Sequence, residues 1–231
     1  MNYTGAKAEH HTENLSLYNM DCMELLKQTP DNYYDLAICD VPYGIGESGK
    51  TNKSRGCKAK AKDYKSFAGD DLEAPDENYF YELRRVSKNQ ILWGANHFID
   101  NMGVSLSSPC WIVWDKDNGA TDFADCELAW TSFKSAVRKI KFKWQGMLQE
   151  NMRDKETRIH PCQKPVKLYE WLLQNYSEKG QKILDTHLGS MSIAIACHYF
   201  GVHLTGCELD EDYFKAGIQR IENETRQLTL F

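Results

Sequence analysis

Short apolar runs alternate along the chain with stretches whose apolar residues recur every three to four positions. The runs at 15–18, 35–39, 90–93, 111–114, 182–184 and 203–207 predict strands. The helical periods predict helices at 22–28, 76–86, 165–174, 190–200 and 211–222. Pro75 and Asp76 supply start signals for the second of these, and Pro165 puts proline in the first turn of the third. Residues 127–145 read as strand-like or irregular. Strands that alternate with helices predict an α/β fold with a mostly parallel sheet. No repeat period and no linker rich in Pro, Gly or Ser divides the chain, so one domain is expected over 1–231.

Composition narrows the class. Of 231 residues, 42% are hydrophobic and 26% charged, which excludes a disordered, collagen-like or rod-like chain. No apolar run approaches the ~18 residues of a membrane span. The first residues, MNYTGAKAEHHTENLS, lack an apolar core, so no secretory signal is expected and the expected compartment is the cytoplasm. Eight cysteines form no CxxC pair and read as reduced core thiols, with neither a disulfide frame nor a metal site expected. Histidines 10, 11, 97, 198 and 203 show no ligand spacing and read as ordinary surface or core residues.

The net charge is −5, yet positive charge gathers in two acid-free segments. Residues 48–62 hold Lys50, Lys53, Arg55, Lys58, Lys60 and Lys62, and residues 134–143 hold Lys134, Arg138, Lys139, Lys141 and Lys143. Two such patches suit a face that meets a polyanion, and equally a solvated loop and a solvated edge strand.

Gly44-Ile-Gly-Glu-Ser-Gly49-Lys50-Thr51 matches the phosphate loop of NTPases, and Asp115 could serve as the later magnesium-binding aspartate. That loop works only at the start of a helix packed on the sheet. Residues 52–62 carry no apolar stripe, and Gly56 interrupts them, so a flexible basic loop is the stronger reading.

Two other stretches place chemistry at strand ends, where open α/β sheets bind ligands. The strand at 35–39 runs into Asp40-Val41-Pro42-Tyr43-Gly44. The strand at 182–184 runs into Asp185-Thr-His187-Leu-Gly189-Ser190-Met191-Ser192 and then a helix of small residues. Some 20 residues beyond Asp185, Glu208 ends the next strand, where a ribose diol would be held. The unit lacks a three-glycine pyrophosphate turn, so a nucleoside cofactor without a diphosphate fits better than NAD.

These residues resemble the S-adenosylmethionine-dependent DNA methyltransferases that modify exocyclic amines, the adenine-N6/cytosine-N4 class. Asp40-Val-Pro-Tyr43 is similar to the catalytic D-P-P-Y motif, and Asp185-Thr-His-Leu-Gly189-Ser190 to the cofactor motif D-P-F-x-G-S-G. His160-Pro-Cys-Gln163-Lys164-Pro165 is similar to H-P-T-Q-K-P, and Gly94-Ala-Asn96-His-Phe98 lies in a segment similar to G-G-N-Y-F. The catalytic motif comes first, which is the permuted β-type order. The resemblance implies a Rossmann-like fold with helices on both faces of the sheet. It implies methyl transfer from S-adenosylmethionine to the N6 of adenine in double-stranded DNA after base flipping, with cytosine-N4 transfer as the near rival. Asp40, Val41, Pro42 and Tyr43 would be catalytic. Asp21, Cys22, Asp40, Lys164, Asp185, His187, Gly189, Ser190, Ser192 and Glu208 would bind cofactor, with a helix-capping role as the other reading of Asp21. Lys50, Lys53, Arg55, Lys58, Arg138, Lys139, Lys141 and Lys143 would meet DNA, from a basic mobile loop at about 46–70 and a small recognition region at about 131–160. A homodimer and a cognate restriction endonuclease, as in restriction-modification, stay open. Val41, His187 and Met191 depart from the motifs, and Met191 adds bulk beside the cofactor turn.

Overall fold

A strand buried on both faces can only sit inside a sheet covered by helices on each side, and this chain builds that arrangement. The computed structural model describes residues 1–46, 71–103, 107–119, 124–145 and 148–226. The basic segment 48–62, with Lys50, Lys53, Arg55 and Lys58, lies outside the described residues.

The elements run β1 (Ala8–His11), β2 (Leu15–Asn19), α1 (Cys22–Gln28), β3 (Tyr34–Cys39), α2 (Glu77–Val86), β4 (Ser87–Trp93) and α3 (Ala95–Phe98). A 3-10 turn at Ile99–Met102 follows, then β5 (Trp111–Asp115), β6 (Cys126–Thr131), β7 (Arg138–Lys141), β8 (Trp144–Gln145) and β9 (Leu148–Gln149). The chain continues through α4 (Val166–Tyr176), β10 (Lys182–Asp185), α5 (Ser192–Phe200), β11 (His203–Glu208) and α6 (Glu211–Arg226).

Nine strands form one sheet in the order β1-β2-β11-β10-β3-β4-β6-β5-β7. The run from β2 to β4 is parallel throughout. Strand β6 is reversed between β4 and β5, and β1 is antiparallel at one edge. Neither reversed strand was legible as such: β1 (AEHH) alternates half-buried and exposed positions without an apolar signal. Strands β8 and β9 pair separately.

Successive residues of β3 feed two cores. Leu36 and Ile38 face Leu172 of α4, Ile195 of α5 and Phe214 of α6. Ala37 and Cys39 face Leu26 of α1, Phe80 of α2 and Phe98 of α3. Asp21 caps α1, its Oδ1 accepting from the amides of Met23 at 2.8 Å and Glu24 at 3.3 Å, and Asp76 caps α2 in the same way. The cysteines divide. Cys39, Cys110, Cys197 and Cys207 are buried as expected, but Cys126 and Cys162 are exposed, on loop and strand ends that the apolar pattern did not resolve.

Met191 holds a left-handed backbone (φ 57°) just before α5, at a cost of about 1–2 kcal/mol for a residue with a Cβ. Its side chain is fully buried and turned to α6. A Cβ on Gly217 would lie 2.6 Å from its Cγ and Sδ, so the missing side chain in α6 makes the seat for Met191. Gly217→Leu is therefore expected to destabilise by about 1–3 kcal/mol through overpacking. Met191→Ala in the same chain should recover part of that loss in denaturant melts; additive losses would contradict the seating.

At β10 and β3 the topology turns. The chain leaves β10 for β11 on one side, and β3 for β4 on the other, although β10 and β3 are neighbours. A crevice opens beyond the carboxyl ends of two such strands.

Candidate active site

Asp40 follows β3 directly and so stands at the edge of that crevice. One carboxylate oxygen, Oδ1, takes the Lys164 ammonium and the Tyr43 hydroxyl, the latter at 2.8 Å. Lys164 Nζ also donates to the Tyr43 oxygen at 3.0 Å and pairs with Glu127 Oε2 at 3.2 Å. Glu127 Oε1 pairs in turn with Lys116. Two carboxylates and two ammonium groups thus form one chain of contacts, with Lys164 only 5% exposed at its centre. Burial opposes the Lys164 charge, but Asp40 and Glu127 outweigh it and hold its pKa up at about 12. Burial likewise opposes the Glu127 charge, and Lys164 and Lys116 pull its pKa down to about 2. Burial raises the pKa of Asp40, with Lys164 working against that shift.

Tyr43 is clamped. Its amide and that of Gly44 donate to Asp71 Oδ1 at 2.5 and 3.0 Å. Its ring lies so close to Gly94 (φ 72°) that any Cβ there would collide with it. The His97 ring lies nearly parallel at 5.3 Å, and Lys164 sits 5.5 Å from the ring centre. His97 is exposed, in keeping with the surface reading, and the fold lays its ring against Tyr43. Val41 is buried and Pro42 half-buried, so both stiffen the floor beneath the carboxylate.

The second half of the crevice lies at β10 and β11. The Glu208 carboxylate is fixed by the amides of Gly189 at 2.8 Å and Asp210 at 2.9 Å. Burial raises the Cys22 thiol to about 12, with the Asp21 and Glu208 carboxylates adding to the shift. His187 faces Asp21, and burial lowers its pKa to about 4, keeping the ring neutral. Its Nδ1 lies 2.9 Å from the Thr186 hydroxyl. The His160 ring stands 3.9 Å from where a Cβ of Gly189 would be. An oriented carboxylate beside an open glycine turn suits a ribose diol. These residues fit S-adenosylmethionine.

Three of the residues expected at the cofactor already have partners within the protein. Lys164 belongs to the Asp40 centre, because both nearby carboxylates claim its ammonium. Ser190 and Ser192 are buried, their hydroxyls 3.1 Å apart, and Ser192 Oγ accepts from Arg220 at 2.9 Å. Arg220 also bonds the Ser190 carbonyl and pairs with Glu156 at 2.7 Å. The two hydroxyls thus brace the turn from behind. Asp21 is the cap already described.

Asp185 ends β10 with 1% exposure, its Oδ1 accepting from the His187 amide at 3.0 Å. Burial raises its pKa to about 8, and Asp40 and Glu208 add to the shift. A carboxyl whose folded pKa exceeds its unfolded value near ~4 keeps an extra proton in the folded state between those values. The Asp185 contribution to stability then falls as pH rises from ~4 to about 8. Asp185→Asn keeps the accepted bond and removes the charge. Its melting temperature relative to the parent is expected to climb between pH 5 and pH 9, and a constant difference would contradict the assignment.

The expected DNA face is partly neutralised. On edge strand β7 and just beyond it, Lys139 pairs with Asp115 at 3.0 Å, and Lys141 and Lys143 pair with Asp117 at 2.7 and 3.4 Å. The acids come from the end of β5, which the register of β5 against β7 brings alongside. Arg138 is exposed. Such surface pairs are weak and phosphate can compete for the lysines.

Of the phosphate-loop motif, residues 47–51 lie outside the described residues; in its described part the Gly44 amide is taken by the Asp71 carboxylate at 3.0 Å and the Gly46 amide by the Asp71 carbonyl at 2.8 Å. Asp115 is tied to Lys139.

Comparison with known proteins agrees with this geometry. The sequence profile of the DNA methylase family matches residues 112–219, from β5 to α6. The type II methyltransferase M2.DpnII of Streptococcus pneumoniae is 22% identical over 94% of this chain and 93% of its own. The fold is similar to the crystal structure of the M1.HpyAVI complex with S-adenosylmethionine, at TM-score 0.57 and 16% identity over 90% of this chain and 98% of that one. It is also similar to the cytosine-N4-specific PvuII DNA methyltransferase, at TM-score 0.61 and 13% identity over 97% and 94%. Among the described residues no helix is long and apolar enough to cross a membrane, and no cluster of His, Cys, Asp and Glu could hold a metal ion. In motif order, sheet topology and these matches the chain is similar to the S-adenosylmethionine-dependent DNA methyltransferases of the adenine-N6/cytosine-N4 family.

Proposed function

We propose that the chain methylates the N6 amine of adenine in duplex DNA, with Asp40 as the group that readies the amine. The observation that carries this reading is the Asp40–Tyr43 pair, locked beside Lys164 at the strand end next to the Gly189–Glu208 cleft. When bound, S-adenosylmethionine supplies an electrophilic methyl group on a positively charged sulfur.

An exocyclic amine is a poor nucleophile because its lone pair is delocalised into the ring. Asp40 accepts one N–H, and the Val41 carbonyl accepts the other. Both contacts strengthen as positive charge develops on nitrogen, which favours the transition state over the ground state. Tyr43, backed by Gly94 and His97, offers the face on which a base stacks. A base inside a duplex cannot reach such a floor, so it must leave the stack. Glu208 holds the ribose diol, and the Gly189 turn, with His160 and His187 beside it, shapes the rest of the cofactor cleft. Asp185 supports that turn through the His187 amide. Arg138, with Lys139, Lys141 and Lys143 once freed from Asp115 and Asp117, contacts phosphates.

An aspartate at the head of the tetrapeptide favours adenine, because serine is the commoner start in the cytosine-N4 enzymes that this chain resembles. The resemblance leaves a homodimer and a partner endonuclease open, and a solution mass measurement decides the first. The test of the reading is to offer tritiated S-adenosylmethionine together with duplex DNA of mixed sequence, RNA and protein. Label is expected in DNA. Label confined to RNA or protein would overturn the substrate class.

A further inference from the structure

We propose that Glu127 is a positioning residue for methyl transfer: it holds the Lys164 ammonium beside Asp40 and receives it when the target amine takes the Asp40 carboxylate. The inference rests on the function proposed above. It starts from an occupancy conflict. Asp40 Oδ1 already takes both Lys164 and the Tyr43 hydroxyl. A base amine that donates to this oxygen must displace one of them, and the ammonium is the one with a second carboxylate already in reach.

A displaced ammonium has few places to go. Lys164 is 5% exposed, and its Nζ lies 5.6 Å from the Trp93 ring centre and 5.5 Å from that of Tyr43. Stranding a charge there without a partner is costly. Glu127 Oε2 is already 3.2 Å away, buried and, that ion pair aside, without a hydrogen-bond partner among the described residues. Its other oxygen is anchored by Lys116, which follows β5, so the acceptor itself stays put. Moving the ammonium from one carboxylate to the other leaves the buried charge unchanged. A small displacement therefore frees Asp40 without exposing a charge to apolar surroundings. No motif contains Glu127. Strand β6, the reversed strand beside β4, brings it to the site.

The arrangement predicts a particular pattern of loss. In Glu127→Gln the second berth loses its charge and Lys164 stays on Asp40. The single-turnover rate of methyl transfer to DNA should fall roughly tenfold or more, since a reacting group misplaced by about 1 Å costs about 100-fold. The dissociation constants for S-adenosylmethionine and DNA should stay within about twofold. Glu127→Asp should lose less. In a Lys164→Met background, Glu127→Gln should cause no further loss, because the ammonium it serves is gone.

A parental rate in Glu127→Gln would overturn the inference while leaving the proposed function standing. So would an equal further loss in the Lys164→Met background, or a matching fall in cofactor affinity, either of which marks Glu127 as a scaffold residue. If the parent protein itself transfers no methyl group to DNA, the proposed function falls and takes the inference with it.

Discussion

Asp40→Ala is expected to lower the rate of methyl transfer by roughly 1,000-fold or more, with cofactor affinity changed by no more than about twofold. Asp40 is the carboxylate that the Tyr43 hydroxyl and the Lys164 ammonium converge on. Removing it takes away both the acceptor for the amine and the negative charge that stabilises the developing cation. The variant should still fold, because Lys164 keeps Glu127 as a partner. Asp40→Asn separates the two contributions: it retains an acceptor oxygen but not the charge, so its rate should fall between those of Asp40→Ala and the parent. Single-turnover transfer and calorimetric cofactor binding measure the two quantities on one preparation. Transfer within tenfold of the parent in Asp40→Ala would mean that the reaction does not use this carboxylate.

Glu208→Ala should show the opposite split. The carboxylate is aimed by the Gly189 and Asp210 amides, and a ribose diol would take its remaining lone pairs. Hydrogen bonds to a charged acceptor contribute about 1.5–3 kcal/mol each, so the cofactor should bind roughly 100-fold more weakly. The rate at saturating cofactor should stay near that of the parent, because Glu208 lies away from the reacting nitrogen. A loss of rate that saturating cofactor does not restore would contradict the division of the crevice into two halves. Together the two variants test whether the adjacent ends of β3 and β10 serve one reaction from two sides.

What was legible in the sequence follows from how far apart in the chain the partners lie. The central parallel strands β2, β3, β4, β10 and β11 were legible because burial leaves a nearly unbroken apolar run. Strand β6 was not read as reversed, since direction depends on which neighbours a strand meets. Asp40 and Tyr43 were legible because four consecutive residues directly after a strand hold both of them. Glu127 was not, because its partner Lys164 comes from the far side of the recognition region. His97 carried no signal beyond its segment, and only the fold lays its ring on Tyr43. The basic patch at 134–143 was read as bare positive charge. Its neutralising acids sit on β5 and just after it, and only the register reveals them. Met191 looked like an obstruction at the cofactor turn, yet its side chain turns into the notch over Gly217. In each case the residue type was visible, and what was missing was the long-range neighbour that decides its role.

The central claim is that an exocyclic amine of a DNA base meets the methyl donor at Asp40. The most direct measurement is the identity of the labelled nucleoside after transfer from tritiated S-adenosylmethionine to duplex DNA, digestion and chromatography. The account predicts label in N6-methyladenosine's deoxy form, absent in the Asp40→Ala reaction. Label at a ring carbon, as in 5-methyldeoxycytidine, would contradict it, because that chemistry needs a covalent nucleophile and not an amine-orienting carboxylate.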